Sequence, residues 1–409
     1  MKSDRKFPWV TITKKQEKTV RIGHPWVYED EIEETSNSEI ENGSLVDVLS
    51  LKKQYLGTGI YSANSKIKIR ILDKNANETF NDDFFLRRIR YALAYRKKVM
   101  GEDFHSCRLI HGEADGFPGV TVDLYENVLV TEILSYGMDK RKEVLYKALV
   151  QVLAEMNVHI IGIYERNEGA LRIKEGLPLE KGWYKMEGLQ SDISPVFSIY
   201  ENDIQYEIDV ENGQKTGFFL DQKFNRRVIR NVSKDAEVLE CCTHIGSFAL
   251  NAIKGGAKHV TAMDVSESAL NSAKRNAELN NMQDKVDFVC ADIFELLPDY
   301  INKHKKYDAV FIDPPAFTKS RKTFQNAKNG YTKINAQAMR LVKKGGYFAT
   351  SSCSHFMPMT EFKKMLLDAA IEANVNIRII EERHAAYDHP VLLAVPETDY
   401  LKFILIQVI

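Results

Sequence analysis

The chain has 409 residues, too many for one ordinary core, so two or three domains are expected. Its 44% hydrophobic and 28% charged composition is that of a soluble globular protein, and no apolar run approaches the roughly 20 residues of a membrane helix. A net charge of −1 excludes a polycation that coats nucleic acid indiscriminately, while leaving room for local basic patches.

The amino terminus, MKSDRKFPWVTITKK, lacks the hydrophobic segment of a signal peptide, so a cytoplasmic location and no membrane partner are expected. Residues 1–24 carry seven Lys/Arg against two acids. Through residue 75 the chain is dense in short β-type runs (VTITKK, SLVDVLS, YLGTGIYS, KIKIRIL) punctuated by turn residues, which predicts a small β barrel. Residues 76–190 are mixed. A charged amphipathic helix (FNDDFFLRRIRYALAYRKKVM) precedes β runs through RLIHGE, GVTVDLY and NVLVTEILS, then a helix (KEVLYKALVQVLAEM) and a strand (IIGIYER).

From residue 191 strands and helices alternate. AEVLECC, HVTAMDVS, VDFVCAD, YDAVFIDPP and GYFATSSC read as strands, and GSFALNAIKGG, ESALNSAKRNAELNN and INAQAMRLVKKGG as helices between them. IRIIEER and YLKFILIQVI close the chain as two more strands. This alternation predicts an α/β, Rossmann-like, doubly wound sheet of seven strands, whose ligands sit beyond the carboxyl ends of the strands.

The residues at those ends carry the chemistry. The first strand runs into a turn containing only Gly246, not G-x-G-x-x-G, which disfavours a nicotinamide or flavin dinucleotide. Such a turn still lets a ligand approach the backbone and the following helix amino end. Asp264, eighteen residues after Gly246, ends the second strand, where an acid can accept from both ribose hydroxyls of an adenosine. Asp292 ends the third and could meet an adenine amino group. Either acid alone would serve equally as a helix cap. The fourth strand ends in Asp313-Pro314-Pro315-Ala316-Phe317, a rigid exit with carbonyl and carboxylate acceptors for a base edge and an aromatic face for stacking. Taken together these strand ends indicate an S-adenosylmethionine-dependent methyltransferase.

The chain resembles the RlmI-type class I methyltransferases of 23S ribosomal RNA, which join a PUA domain, a small α/β middle domain and a Rossmann-like catalytic domain. HPWVY (24–28) and GTGIYSANSKIKIRIL (57–72) resemble the PUA part, and RLIHGEADGFPGVTVDLY (108–125) and IYERNEGALRIKEGLP (163–178) the middle part. NGQKTGFFLDQ (212–222), LECCTHIGSFA (239–249), DPPAF, GYTKIN (330–335), SSCSHFM (351–357) and DHPVLLAVPETDYLK (388–402) resemble the catalytic part. The resemblance implies domains at 1–75, 76–190 and 191–409. It implies cofactor contacts from Glu240, Cys241, Cys242, Thr243, His244, Gly246, Asp264, Val265, Asp292 and Ile293, with Thr216, Gly217 and Gln222 lining the pocket. His244, Ile245 and Ser247 depart from the family's usual Tyr-Thr-Gly turn, so His244 is a further ligand contact to test.

Cys353, in SSCSHFM, sits where the fifth strand ends, beside the strand that carries Asp313. Methylation of cytosine C5 needs a thiolate that adds at C6, which assigns Cys353 as nucleophile and Asp313 as the group holding the base. The same fold supports guanine N7 methylation, in which no thiol is needed, and a buried cysteine is ordinarily inert packing. Both chemistries stay open, with the thiol's position favouring C5. A catalytically silent RNA-binding ribosome-assembly factor is the alternative of a different class, and two additional domains disfavour a small-molecule methyltransferase. Pro314, Pro315 and Phe317 would contact the extruded base, and Lys319, Arg321, Lys322 and Lys328 form a basic loop for phosphates. The five cysteines, Cys107, Cys241, Cys242, Cys290 and Cys353, are odd in number and lie mostly in apolar runs without zinc-type spacing, so reduced thiols and no metal are expected. The partner expected is 23S ribosomal RNA, free or in an assembling subunit, with a homodimer left open.

Overall fold

A computed structural model describes residues 7–36, 39–317 and 323–409. Its backbone divides into two units. Residues 7–196, 209–218 and 387–398 form the first, and residues 197–208, 219–386 and 399–409 the second.

Six strands open the first unit: β1 (Trp9–Ile12), β2 (Trp26–Tyr28), β3 (Ile32–Thr35), β4 (Leu45–Leu49), β5 (Tyr55–Tyr61) and β6 (Ile67–Asp73). They pair in the order β2-β6-β5-β4-β1-β3 around a core of Val10, Ile12, Val20, Val27, Val46, Val48 and Ile69. The strand predicted as VTITKK stops at Ile12, because Thr13 caps a helix over Lys14–Ile22, its side chain accepting from the Gln16 amide at 3.2 Å. The predicted amphipathic helix runs over Asp82–Met100, capped by Asn81. A second sheet follows, of β7 (Ser106–His111), β8 (Val120–Tyr125), β9 (Val128–Ile133), β10 (Gly162–Asn167) and β11 (Glu180–Trp183), in the order β11-β10-β9-β8-β7. A buried ion pair between Arg70 and Glu175, at 2.6 Å, joins β6 to the helix Ala170–Glu175 that follows β10. A hairpin of β12 (Val196–Glu201) and β13 (Ile204–Asp209) belongs, but for its two end residues, to the second unit.

The second unit is built on β14 (Glu237–Cys241), β15 (His259–Asp264), β16 (Val286–Cys290), β17 (Tyr307–Ile312), β18 (Val342–Ser352), β19 (Ile377–Arg383) and β20 (Lys402–Val408). Their order is β16-β15-β14-β17-β18-β20-β19, with β14 to β18 parallel and β20 antiparallel to both of its neighbours. The chain reverses its winding between β14 and β17, so the cleft for ligands lies at their carboxyl ends. All five predicted parallel strands and both closing strands are present.

The longer helices of this unit that the sequence prediction lacks are Ile293–Asn302 and Met359–Ala373. The first contains Pro298, whose missing N–H argues against a helix interior by sequence alone. The predicted helix INAQAMRLVKKGG in fact covers Phe324–Leu341, and the strand begins at once, at Val342. The ladder fits closely here, since a Cβ on Gly346 would stand 2.6 Å from the Asp308 carbonyl oxygen. Tyr331, Met339, Phe362, Met365 and Leu366 pack against Val310, Phe348 and Ile406 as the core on this face. Burying each such side chain contributes about 1.5–3 kcal/mol.

Candidate active site

The turn after β14 is the first component. Cys242, His244 and Gly246 all adopt positive φ, at 64°, 53° and 85°. Within it the Thr243 amide donates to the Met263 carbonyl at 3.0 Å and the Gly246 amide to the Thr243 carbonyl at 2.9 Å. Gly246 caps the helix Ser247–Lys254 without a side chain, and the Ala249 amide is held by Glu240 Oε2 at 2.9 Å. The Thr243 hydroxyl donates to the same oxygen at 2.5 Å. Glu240 is 2% exposed, and burial raises its carboxyl pKa to about 8 against the lowering effect of those two donors. Asp264 and Asp313 push in the same direction as burial.

Asp264 accepts from the His244 amide at 2.8 Å and the Ser266 amide at 2.9 Å, so it ties the exit of β15 to the β14 turn. Asp292 caps the helix Ile293–Asn302, accepting from the Phe294 amide at 2.7 Å. The capping alternative therefore holds for Asp292, while Ser266 takes that role after β15. Ile293 is buried, Val265 is 71% exposed, and the His244 ring packs edge-on against Phe219 at 5.2 Å. The Cys242 thiol registers the whole acidic set: burial drives its pKa upward first, then Asp264, Asp313, Glu240 and Asp292. The Asp264, Asp292 and Asp313 carboxyl groups around one turn form a setting for a cationic ligand.

Gln222 links this region to the fourth and fifth strands. Its side-chain amide donates to Asp313 Oδ2 at 3.0 Å and to Ser351 Oγ at 3.2 Å, while its oxygen accepts from Asn225 at 2.7 Å. Because Ile312 pairs with Thr350, Asp313 and Ser351 leave the sheet side by side, and Cys353 follows two residues on. Pro314 is buried and Pro315 exposed; Phe317 packs against Tyr331 at 4.5 Å and Phe294 at 6.2 Å. The Tyr331 hydroxyl, buried and raised to about 12, accepts from Ser352 Oγ at 3.3 Å and faces the Cys353 thiol and Asp313.

Thr216 and Gly217, predicted to line the pocket, belong to the first unit, where the Thr216 hydroxyl is committed to Asp123 Oδ2 at 2.5 Å and Tyr125 at 2.9 Å. Cys290, read as embedded in an apolar strand, is exposed, because β16 is the sheet edge. Lys319, Arg321 and Lys322 lie outside the described residues, and Lys328 is paired with Asp368 at 3.3 Å. All five cysteines are free. Lys402, unassigned in the sequence, is a buried neighbour of the Cys353 turn. Only the antiparallel entry of β20 brings it there.

Residues 10–74 match a PUA-like domain, and residues 181–390 match the S-adenosylmethionine-dependent methyltransferase family. The chain is 37% identical over 401 residues to ribosomal RNA large subunit methyltransferase I of Alteromonas mediterranea, covering 98% of each chain. The chain belongs to the ribosomal RNA large subunit methyltransferase I family. The Pseudoalteromonas atlantica member is 39% identical over 402 residues, covering 98% of this chain and 99% of that one. In fold, a putative S-adenosylmethionine-dependent methyltransferase from Streptococcus mutans superposes with a TM-score of 0.81 at 21% identity, over 98% of this chain and 100% of that one. A putative methyltransferase complexed with S-adenosylhomocysteine gives 0.81 at 20%, with the same coverage. S-Adenosylmethionine is thus the family's cofactor, and the residues present fit it. The Asp264, Asp292 and Asp313 carboxyls suit its sulfonium and ammonium charges, and the helix start after Gly246, which offers no side-chain cap, suits its carboxylate.

Proposed function

We propose that this protein methylates cytosine C5 in large-subunit ribosomal RNA, with Cys353 as the nucleophile, acting in the cytoplasm. The observation that carries the reading is the pairing of β17 with β18, which sets Asp313 beside Ser351 and the Cys353 turn at one sheet edge. When bound, S-adenosylmethionine supplies a methyl group on a sulfonium, which C5 takes. Cys353 adds its thiolate to C6 and so makes C5 electron-rich; after C5 loses its proton to a base, the C6–S bond breaks and the thiolate returns. Asp313, held by Gln222, accepts from the exocyclic amine of the cytosine. Phe317, backed by Tyr331, stacks on the extruded ring. Cys241 and Cys242 are poorer nucleophiles, since burial pushes both thiols up.

The three-part division at residues 75 and 190 belongs to this proposal. The PUA-like part and the basic residues Lys319, Arg321 and Lys322 would grip phosphates, while the pocket reads the base. Mapping modified nucleotides by mass spectrometry, in ribosomal RNA from cells with and without the gene, tests the reading. Loss of one 5-methylcytidine is expected; loss of 7-methylguanosine instead would assign direct nitrogen methylation. RNA containing 5-fluorocytidine should form a stable adduct with the wild type and none with Cys353→Ala, because fluorine cannot leave as the proton does. Methyl transfer that persists in Cys353→Ala would refute the covalent route, and absence of S-adenosylmethionine binding by calorimetry would indicate a silent assembly factor.

A further inference from the structure

Lys402 opens β20 directly across from Ser352, the residue before Cys353. It is 1% exposed, and a buried ammonium is costly unless its donors and charge are met. Its Nζ donates to the Ser354 carbonyl at 2.5 Å and to the Tyr400 carbonyl at 2.7 Å, which uses two of its three N–H groups. Those carbonyls flank Cys353 on one side and lead into β20 on the other. They accept hydrogen bonds but do not balance a full charge.

We propose that Lys402 is a positioning residue that holds Cys353 as a thiolate, through its charge and its grip on the Ser354 carbonyl. The inference rests on the reading of Cys353 as the nucleophile. Burial lowers the Lys402 pKa to about 8, while Asp399 and the Cys353 thiol oppose that fall. The coupling is mutual: a thiolate that favours the ammonium is itself favoured by it. Among the described residues, the other groups facing this corner do not supply that charge. Tyr331 stays a neutral phenol, Asp313 is an acid, Asp399 is held by His384 Nδ1 at 2.8 Å, and the Tyr400 hydroxyl is committed to Asp221 at 2.6 Å. His355, on the same turn, is exposed. Acids at these positions disfavour a thiolate, and among the described residues Lys402 is the cation set against them.

The test follows the rate of Cys353 alkylation by iodoacetamide from pH 5.5 to 9.5, read on its peptide by mass spectrometry, in the wild type, Lys402→Gln and Lys402→Arg. Glutamine retains donors for both carbonyls and removes the charge; arginine retains the charge. The wild-type midpoint should fall below the roughly 8.5 of a free thiol. Lys402→Gln should raise it by about one unit, slowing alkylation at pH 7 about tenfold, and Lys402→Arg should keep it low. An unchanged midpoint in a Lys402→Gln protein with wild-type melting temperature and S-adenosylmethionine affinity would overturn the proposal. Should that variant not fold, the wild type decides alone: a midpoint at or above about 8.5 refutes it and a lower one supports it. Cys353→Ala separates the two readings, since methyl transfer surviving there removes the nucleophile whatever the alkylation profile shows.

Discussion

Replacing Glu240 with glutamine isolates one buried proton. The two donors to this carboxyl, from Thr243 and Ala249, both reach Oε2, so Oε1 can carry the proton. With a folded pKa of about 8 against 4.5 unfolded, the folded state holds a proton that the unfolded chain has released. A folded pKa raised in this way adds stability that is complete below pH 4.5 and fades as pH climbs through 8. Integrating that difference gives about 2.7 kcal/mol at pH 6, about 1.4 at pH 7 and about 0.1 at pH 9. Glu240→Gln mimics the protonated form, so it should cost under about 1 kcal/mol at pH 7. The wild type should then lose about 1.4 kcal/mol relative to the variant between pH 7 and 9, or roughly 3–6 °C in the melting transition of the second unit. Calorimetry of the cofactor-free proteins at pH 6, 7, 8 and 9 measures it, the paired comparison cancelling groups common to both. Parallel melting profiles would show that Glu240 does not titrate in this range and would refute the reasoning.

Asp264→Ala removes the acceptor for the His244 and Ser266 amides together with the acid proposed for the ribose. S-Adenosylmethionine affinity by calorimetry should drop tenfold or more, with a stability loss of about 1–2 kcal/mol; unchanged affinity would remove Asp264 from the pocket. Gly246→Ala forces a Cβ to within 3.2 Å of the Ala273 Cβ at a φ of 85°. It should cost about 1–2 kcal/mol in denaturant unfolding. Glu201→Ala removes the buried carboxylate that meets Arg226 at 2.7 and 2.8 Å, and about 3–5 kcal/mol should be lost from the second unit.

Much of the second unit was legible in the residues because parallel strands buried on both faces read as apolar runs. Their ends are marked by residues that cannot stay buried unpartnered. Gly246, Asp264, Asp292, Asp313 and Cys353 could be found that way. KTGFFLDQ is continuous in sequence yet is divided between the two units after Phe218, a break that no local pattern marks. Tyr331, within GYTKIN, has no role legible in sequence, because helical spacing shows that a residue faces inward and not which group it meets.

The order of hydrophobic and acidic residues by itself determined that a parallel sheet forms and that acids crowd its carboxyl edge. Side-chain period and strand-end chemistry are local properties. Only the tertiary structure decided that β20 enters antiparallel between β18 and β19, setting Lys402 against the Cys353 turn from 49 positions along the chain. Strand order follows from how all the buried faces pack together, and no single stretch of residues encodes it.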